Sequence, residues 1–341
     1  MRKQVLIGSV TLFACLGALI SCGNDEPGGE NGQDNKPFPK NENIFTNPVI
    51  RGGAPDPTII RAKDGKFYLY TGENAYSSDD MIEWEHHGSV FSEKTHPTWN
   101  PRGGVWASDI NYFDGRYVLY YAKSEWGGEW DCGIGVATCD NPLGPFVDHG
   151  PLFISRDIQV QNSIDQYYIE DHGKKYLVWG SFHGIYVIEL SDDGLSVKPG
   201  AEKVQIAGGF MEGSYVHVRD GKYYLFGSAG TCCEGSNSTY SVTVGRADNL
   251  FGPYYDKNGG KLLDNHYETI LTGDSRIAGP GHNSEIITDD EGTDWIMYHG
   301  WVRGQDDMGR QGFLDRVDWV DGWPKINNGH PSTSCDKPVF K

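Results

Sequence analysis

Four acidic residues stand at matching places along the chain: Asp56, Asp109, Asp165 and Glu212 lie nine, six, eight and nine residues ahead of the glycines Gly65, Gly115, Gly173 and Gly221. Carboxyl groups repeated near one register converge if the repeats close into a ring. Crowded together they repel, and the repulsion raises the pKa of at least one of them. A neutral carboxyl beside an ionised one can break a glycosidic bond. The first protonates the leaving oxygen, the second acts on the opposite face of the sugar, and a third can keep the acid protonated. The plainer reading of any single one of these acids is a strand-end cap bonded to nearby backbone amides.

The glycines that set this register belong to five copies of a polar turn followed by a strand dense in Tyr, Phe, Leu, Val and Trp. The copies are DGKFYLYTG from Asp64, DGRYVLYYA from Asp114, HGKKYLVWG from His172, DGKYYLFGS from Asp220 and EGTDWIMYH from Glu291. Their glycines are 50, 58, 48 and 71 residues apart, and a second strand-like run such as PTIIRA or SDINYF precedes each. Asp-Gly between β-rich runs marks a hairpin. Further motifs, WEHHG, FVDHG and YYDKNG, supply outer strands. Units of about 50 residues made of short strands mean a propeller or a solenoid. With helical periodicity nearly absent, the expectation is an all-β fold, a five-bladed β-propeller whose innermost strands carry the acids to one mouth. A β-sandwich would not require fivefold self-similarity.

The 341 residues carry a formal net charge of −18. That argues against nucleic acid or an anionic membrane surface as partner, because both need basic patches. Aromatic residues make up 13%, with ten Trp, which gives faces for sugar rings to stack on as well as core material. At the start, Met1-Arg2-Lys3, an apolar run from Val5 to Ile20 and then Ser21-Cys22 read as a signal peptide over residues 1–21. The small residue before cysteine resembles a bacterial lipobox and implies acylation of Cys22; an ordinary secretory signal is the alternative. Residues 22–43 hold one aromatic and no aliphatic side chain, so a flexible tether is expected there, with the propeller occupying 44–341. The expected location is the cell envelope, as an outer-membrane lipoprotein, surface-exposed or periplasmic, with the lipid as its membrane link.

Of seven cysteines, five remain beside Cys15 and Cys22. Cys132 and Cys139 are a pair that could bridge, a vicinal Cys232–Cys233 bond would be strained, and none has zinc-ligand spacing. All five, Cys335 included, are expected to act first as packing residues.

The stretches APDPTII, VWASDINYFDGRYVLYY, NSIDQYYIEDHGKKYLVWGSFHGI, MEGSYVHVRDGKYYLF and GPGHNSEI occur in this order across nearly the whole chain after the tether. In this they resemble glycoside hydrolase family 43. The resemblance implies a five-bladed propeller and inversion at the anomeric carbon. Asp56 would be the general base, Glu212 the general acid, and Asp165 the residue that orients the acid and raises its pKa. The run SAGTCCEGSNSTYSVTVGRADNLFGPYYDKNG looks like the arabinan-degrading members, which implies α-1,5-L-arabinofuranosyl linkages as substrate. It also implies a calcium ion held near the axis by His282, and no organic cofactor. Trp106 is the candidate sugar-stacking wall, with core packing as its alternative, and Asn162, Ser163, Ser181 and Phe182 fall in segments that line the site in similar enzymes. Ala54 precedes Pro55-Asp56, Trp106-Ala107-Ser108-Asp109 lacks the proline of the second motif, and Gln166 follows Asp165 where proline is usual. The first two departures bear on substrate length and on endo against exo action, whereas the Gln166 change need not move the Asp165 carboxylate. A monomeric endo-acting arabinan hydrolase is the expectation. An exo-acting α-L-arabinofuranosidase or β-xylosidase, its cleft blocked by residues 93–104 or 125–132, is the alternative, and a non-catalytic carbohydrate-binding propeller is the rival from another class.

Overall fold

Five antiparallel sheets follow one another along the chain, each built in sequence order from the inside outwards. The computed structural model describes residues 43–100 and 102–341; the signal, Cys22 and nearly all of the tether lie outside the described residues. Blade 1 runs Pro57–Arg61, Phe67–Thr71, Asn74–Ser78 and Glu85–Ser89, and blade 2 runs Gly104–Phe113, Arg116–Ser124, Gly133–Cys139 and Val147–Ile154. Blade 3 comprises Tyr167–Asp171, Lys174–Trp179, Ile185–Glu189 and Val204–Ala207, and blade 4 Met211–Arg219, Lys222–Ala229, Ser241–Ala247 and Glu268–Thr272. In blade 5 the inner strand is split into Ile277–Gly281 and Ile286–Thr288, followed by Asp294–Val302, Gln311–Val320 and Trp323–Ile326. The repeated turns join the two inner strands of each blade. In Asp114-Gly115, His172-Gly173 and Asp220-Gly221 both residues have positive φ, as a two-residue hairpin twisted to match its strands requires.

Apolar side chains fill the junctions between blades. Tyr215, Phe226 and Leu271 of blade 4 pack on Ile286, Tyr298 and Phe313 of blade 5, and four similar clusters occupy the other junctions. The ring is closed by terminal segments that the repeat pattern does not reveal. Ile44–Thr46 pairs with Ser334–Asp336, the Asn47 side chain brackets Leu314 by accepting from its N–H and donating to its carbonyl, and Phe340 lies 4.5 Å from Phe67.

Two features of the inner strands set the site. First, every blade turns into its inner strand through one left-handed residue: Asp56, Ala107, Asp165, Gly213 and His282, with φ of 51°, 32°, 57°, 60° and 45°. Four of the five are not glycine, and a left-handed conformation held by ordinary residues is a strain that persists where the surroundings enforce it, commonly at functional sites. Second, at each junction an inner-strand side-chain oxygen accepts a backbone N–H from the next blade. Thr58 accepts from Ile110, Asp109 from Tyr168, Asp165 from Gly213, Tyr215 from Ile286, and Glu285 from Ile59, which returns to blade 1.

This stitching corrects one expectation. Asp109 does not join the other three acids; the position in blade 2 that corresponds to Asp56 is Ala107, and a bulge between Trp106 and Asp109 shifts the register. Asp109 is 2% exposed, and its Oδ1 has no donor unless a proton sits between it and Glu285. Burial pushes both carboxyls above the ordinary range, and for Asp109 the neighbouring Glu285 charge adds to the push. A raised folded-state pKa contributes stability below the ordinary carboxyl pKa of about 4, and that stability is lost as pH rises through the raised values. Asp109→Asn keeps an acceptor for Tyr168 and offers Glu285 an amide N–H. The variant's melting temperature should therefore fall less between pH 5 and pH 9 than that of the parent protein; an identical fall would refute the shared proton.

Candidate active site

Asp56, at the mouth of blade 1, is surrounded by donors. Arg310 Nη1 lies 2.8 Å from its Oδ1 and His282 Nδ1 3.2 Å, while His299 Nδ1, 3.3 Å from the same oxygen, accepts the Asp56 N–H at 3.1 Å. Burial alone would raise this carboxyl, but the Arg310 and His282 charges and the His282 hydrogen bond outweigh it and hold Asp56 well below the usual range. The two histidines differ. Burial pushes His282 down, yet Asp56, Asp165 and Glu212 together lift it to about 9, whereas burial and Arg310 drive the fully buried His299 down to about 4. His299 is therefore neutral at physiological pH, which lets its Nδ1 accept from Asp56.

Glu212, one residue before the left-handed Gly213, sits in a cradle of hydroxyls. Ser181 Oγ donates to Oε2 at 2.5 Å and Tyr240 Oη to Oε1 at 2.7 Å, and Asn162 Nδ2 donates to Ser181 Oγ at 2.9 Å. Burial raises the Glu212 pKa; the two hydroxyl donors and His282 pull it down, Asp56 pushes it up, and the balance lies above the ordinary value. Asp165 is buried, and its Oδ2 accepts the Gly213 N–H at 3.1 Å, fixing the peptide next to Glu212. Burial lifts Asp165 to about 8, opposed by His282 and helped by Glu212 and Asp56. Gly213 is required twice over. Its φ is +60°, and a Cβ there would stand 3.0 Å from the His282 ring.

Asp56, Asp165, Glu212 and His282 thus come together from four blades. Asn162, Ser181 and the exposed Phe182 lie beside them, with Asn162 and Phe182 also in left-handed conformations. Ser163 is fully buried; its hydroxyl donates to the Val160 carbonyl and accepts the Trp179 indole N–H, so it braces the loop. Trp106 is half-buried at the blade 2 mouth, with one face on the small cluster of Ala122, Cys132 and Ile164. Gln166, in the place where proline was expected, donates to the Ala107 and Tyr120 carbonyls and so ties blade 3 to blade 2.

Three residues of the site escaped the sequence reading. His299 and Arg310 flank Asp56, and Tyr240 holds Glu212. Tyr240 closes the loop 231–239, and Arg310 ends the loop 303–309. These two loops are latched together: Ser236 N–H and Oγ donate to Asp306, Arg303 donates to the Ser236 carbonyl, and Trp301 Nε1 donates to the Cys232 carbonyl at 2.8 Å. Cys232 and Cys233 form a vicinal disulfide in this latch, where packing was the first expectation, and Cys132, Cys139 and Cys335 are free thiols.

A carboxyl held ionised and a carboxyl kept up by burial, facing one opening of a five-bladed ring, define a glycoside hydrolase of the propeller type. The sequence profile of the glycosyl hydrolases family 43 matches residues 45–324, and the chain belongs to that family. It is 30% identical over 306 residues to the extracellular exo-α-(1→5)-L-arabinofuranosidase of Cellvibrio japonicus, spanning 80% of this chain and 86% of that one. It is also 30% identical over 293 residues to an extracellular endo-α-(1→5)-L-arabinanase of Bacillus subtilis, covering 79% and 86%. Among solved structures, the Cellvibrio cellulosa α-L-arabinanase complexed with arabinohexaose superposes with a TM-score of 0.74 at 29% identity, over 81% of this chain and 96% of that one. An exo-1,5-α-L-arabinanase from a bovine ruminal metagenomic library gives 0.73 at 30% identity, over 82% and 99%.

Proposed function

We propose that this glycoside hydrolase cleaves α-1,5-L-arabinofuranosyl linkages of arabinan with inversion, Glu212 acting as general acid and Asp56 as general base. The observation that carries this reading is the opposite electrostatic setting of the two carboxyls: cations hold Asp56 ionised, while burial and the Asp56 charge keep Glu212 protonated further up the pH scale. Asp56 takes a proton from water as the water oxygen bonds to the anomeric carbon. The bond to the leaving oxygen breaks, and that oxygen takes the Glu212 proton. Solvent then returns Glu212 to its acid form and Asp56 to its base form. Asp165 holds the Gly213 peptide and places a neutral carboxyl near the acid, and Ser181 and Tyr240 fix the acid's orientation.

The ionised Asp56 beside His282 favours a cation at this mouth, and a calcium ion is one that would fit there. His282 would be the protein ligand, through Nε2, since Nδ1 faces Asp56. Among the described residues no group of three or more His, Cys, Asp or Glu forms a metal cage, so water would fill the remaining positions. Bound there, the ion would supply positive charge beside the reacting sugar, a role that the imidazolium fills when no metal is present.

Exo action is the second reading, favoured by the exo-acting relatives. The Cys22 acyl anchor is supported by the pattern of Met1 to Cys22, and the Cellvibrio japonicus and Bacillus subtilis relatives are extracellular. Timed digestion of linear arabinan and xylan, with products sized and with a chelator arm, tests the whole reading. A ladder of arabino-oligosaccharides at early times, weakened by chelator and restored by calcium, is the expected result. A single small product from the start would replace endo by exo action, and xylan cleavage alone would overturn the substrate.

A further inference from the structure

The loop of residues 125–132 in blade 2 presents tryptophans that the fold does not use. Trp126 is 78% exposed, with its ring 5.4 Å from that of Trp106 at the cleft mouth. Trp130, 42% exposed, lines with Trp99 a cavity of about 400 Å³ on the same blade, together with Asn100, Arg102, Arg156 and Asp157. Exposed aromatic rings grouped beside a cleft, unlike single scattered ones, mark an interaction surface.

The loop that carries these rings is held firmly. Arg102 pairs with Glu125 at 3.0 Å and Arg156 with Asp131 at 2.6 Å, while Asn100 donates to the Asp131 carbonyl at 3.2 Å. The loop also reaches the acid. The Glu129 carbonyl accepts the Asn162 N–H at 2.8 Å, and Asn162 continues through Ser181 to Glu212.

We propose that this loop carries a second sugar-holding site. Trp126 extends the cleft from Trp106, and the Trp99–Trp130 cavity takes a neutral segment of the same polysaccharide, several sugars away from the bond being cut. This rests on the reading that the substrate is a polymer. The chemistry suits a neutral sugar chain. Indole faces stack on the apolar faces of sugar rings. Arg102 and Arg156 are balanced by Asp131 and Asp157, so the cavity walls carry no net charge to select an ion. A volume near 400 Å³ falls in the range of small-ligand sites and accommodates a few furanose units.

Steady-state kinetics of Trp126→Ala, Trp130→Ala and the double variant, on linear arabinan and on a short aryl arabinofuranoside, read this directly. Removing both indole platforms should raise KM for the polymer about tenfold in the double variant, with kcat and the short-substrate constants within about twofold of the parent. An unchanged polymer KM, or an equal loss on both substrates, overturns the proposal. Trp126→Ala alone decides the matter if Trp130→Ala lowers thermal stability. In a parallel assay the Glu212→Gln chain runs through native gels containing arabinan, xylan or cellulose. Retardation by any of these that depends on Trp126 and Trp130 supports the site even if arabinan proves not to be the substrate; retardation by none contradicts it.

Discussion

Glu212→Gln should lower kcat on unactivated arabinan by about 10²–10⁴-fold, the span that general acid catalysis ordinarily contributes. Gln keeps the shape of the side chain, and its carbonyl oxygen can still accept from Ser181 or Tyr240, so the fold and the cradle are preserved. What disappears is the transferable proton. An aryl arabinofuranoside with a good leaving group needs little protonation, so on that substrate the deficit should shrink markedly. The pH profile supplies a second reading. Burial raises the Glu212 pKa, so the acid form persists above the ordinary carboxyl range and activity falls as pH rises through the raised value. In the variant that alkaline limb should lose its Glu212 component. Normal turnover of arabinan by Glu212→Gln would remove the assigned acid, and it would equally restore the non-catalytic binding propeller as a rival.

Asp56→Ala should be as damaging, with a different signature. Water must be activated whatever the leaving group, so the loss of about 10²–10⁴-fold should appear on aryl glycosides and polymer alike. Asp56 must be ionised to act. Its pKa is depressed because Arg310 and His282 outweigh burial, so the acid limb of the parent enzyme should lie below the normal carboxylate range. Removing Asp56 also withdraws a negative charge that raises both Glu212 and Asp165, and His282 loses its nearest anion. The contrast between the two variants is the informative part. A leaving group rescues one and not the other. Rescue of Asp56→Ala by a good leaving group would mean that its carboxyl does not activate water.

The residues legible in the sequence were those whose position follows from local rules. A short Gly-containing turn fixes hairpin register, so the distance from Asp56, Asp165 or Glu212 to the following glycine already placed each at the start of an inner strand. The same rule misplaced Asp109. A bulge in the inner strand of blade 2 shifts the register after Trp106, and the carboxyl points to Glu285 across the axis. Nothing in a spacing count shows a bulge before the ring is assembled.

Arg310, His299 and Tyr240 were hidden for a different reason. They reach the acids from a second strand and from loops: ring closure brings His299 and Arg310 of blade 5 against Asp56 of blade 1, and the loop 231–239 folds back over Glu212 within blade 4. The closing pairing of Ile44–Thr46 with Ser334–Asp336 lies outside the repeat and had no counterpart to compare with. The left-handed residue at each mouth was partly visible, since Asp, Gly and His tolerate that conformation better than most side chains; Ala107 gave no such sign.

The division of labour between Asp56 and Glu212 is tested most directly by the configuration of the sugar at the moment of release. Proton NMR of the first turnovers on an α-linked arabino-oligosaccharide, before mutarotation, should show the β-anomer, because water activated by Asp56 enters opposite the oxygen protonated by Glu212. The α-anomer as first product would mean two successive displacements through a covalent intermediate, and Asp56 could then not be a base acting on water alone.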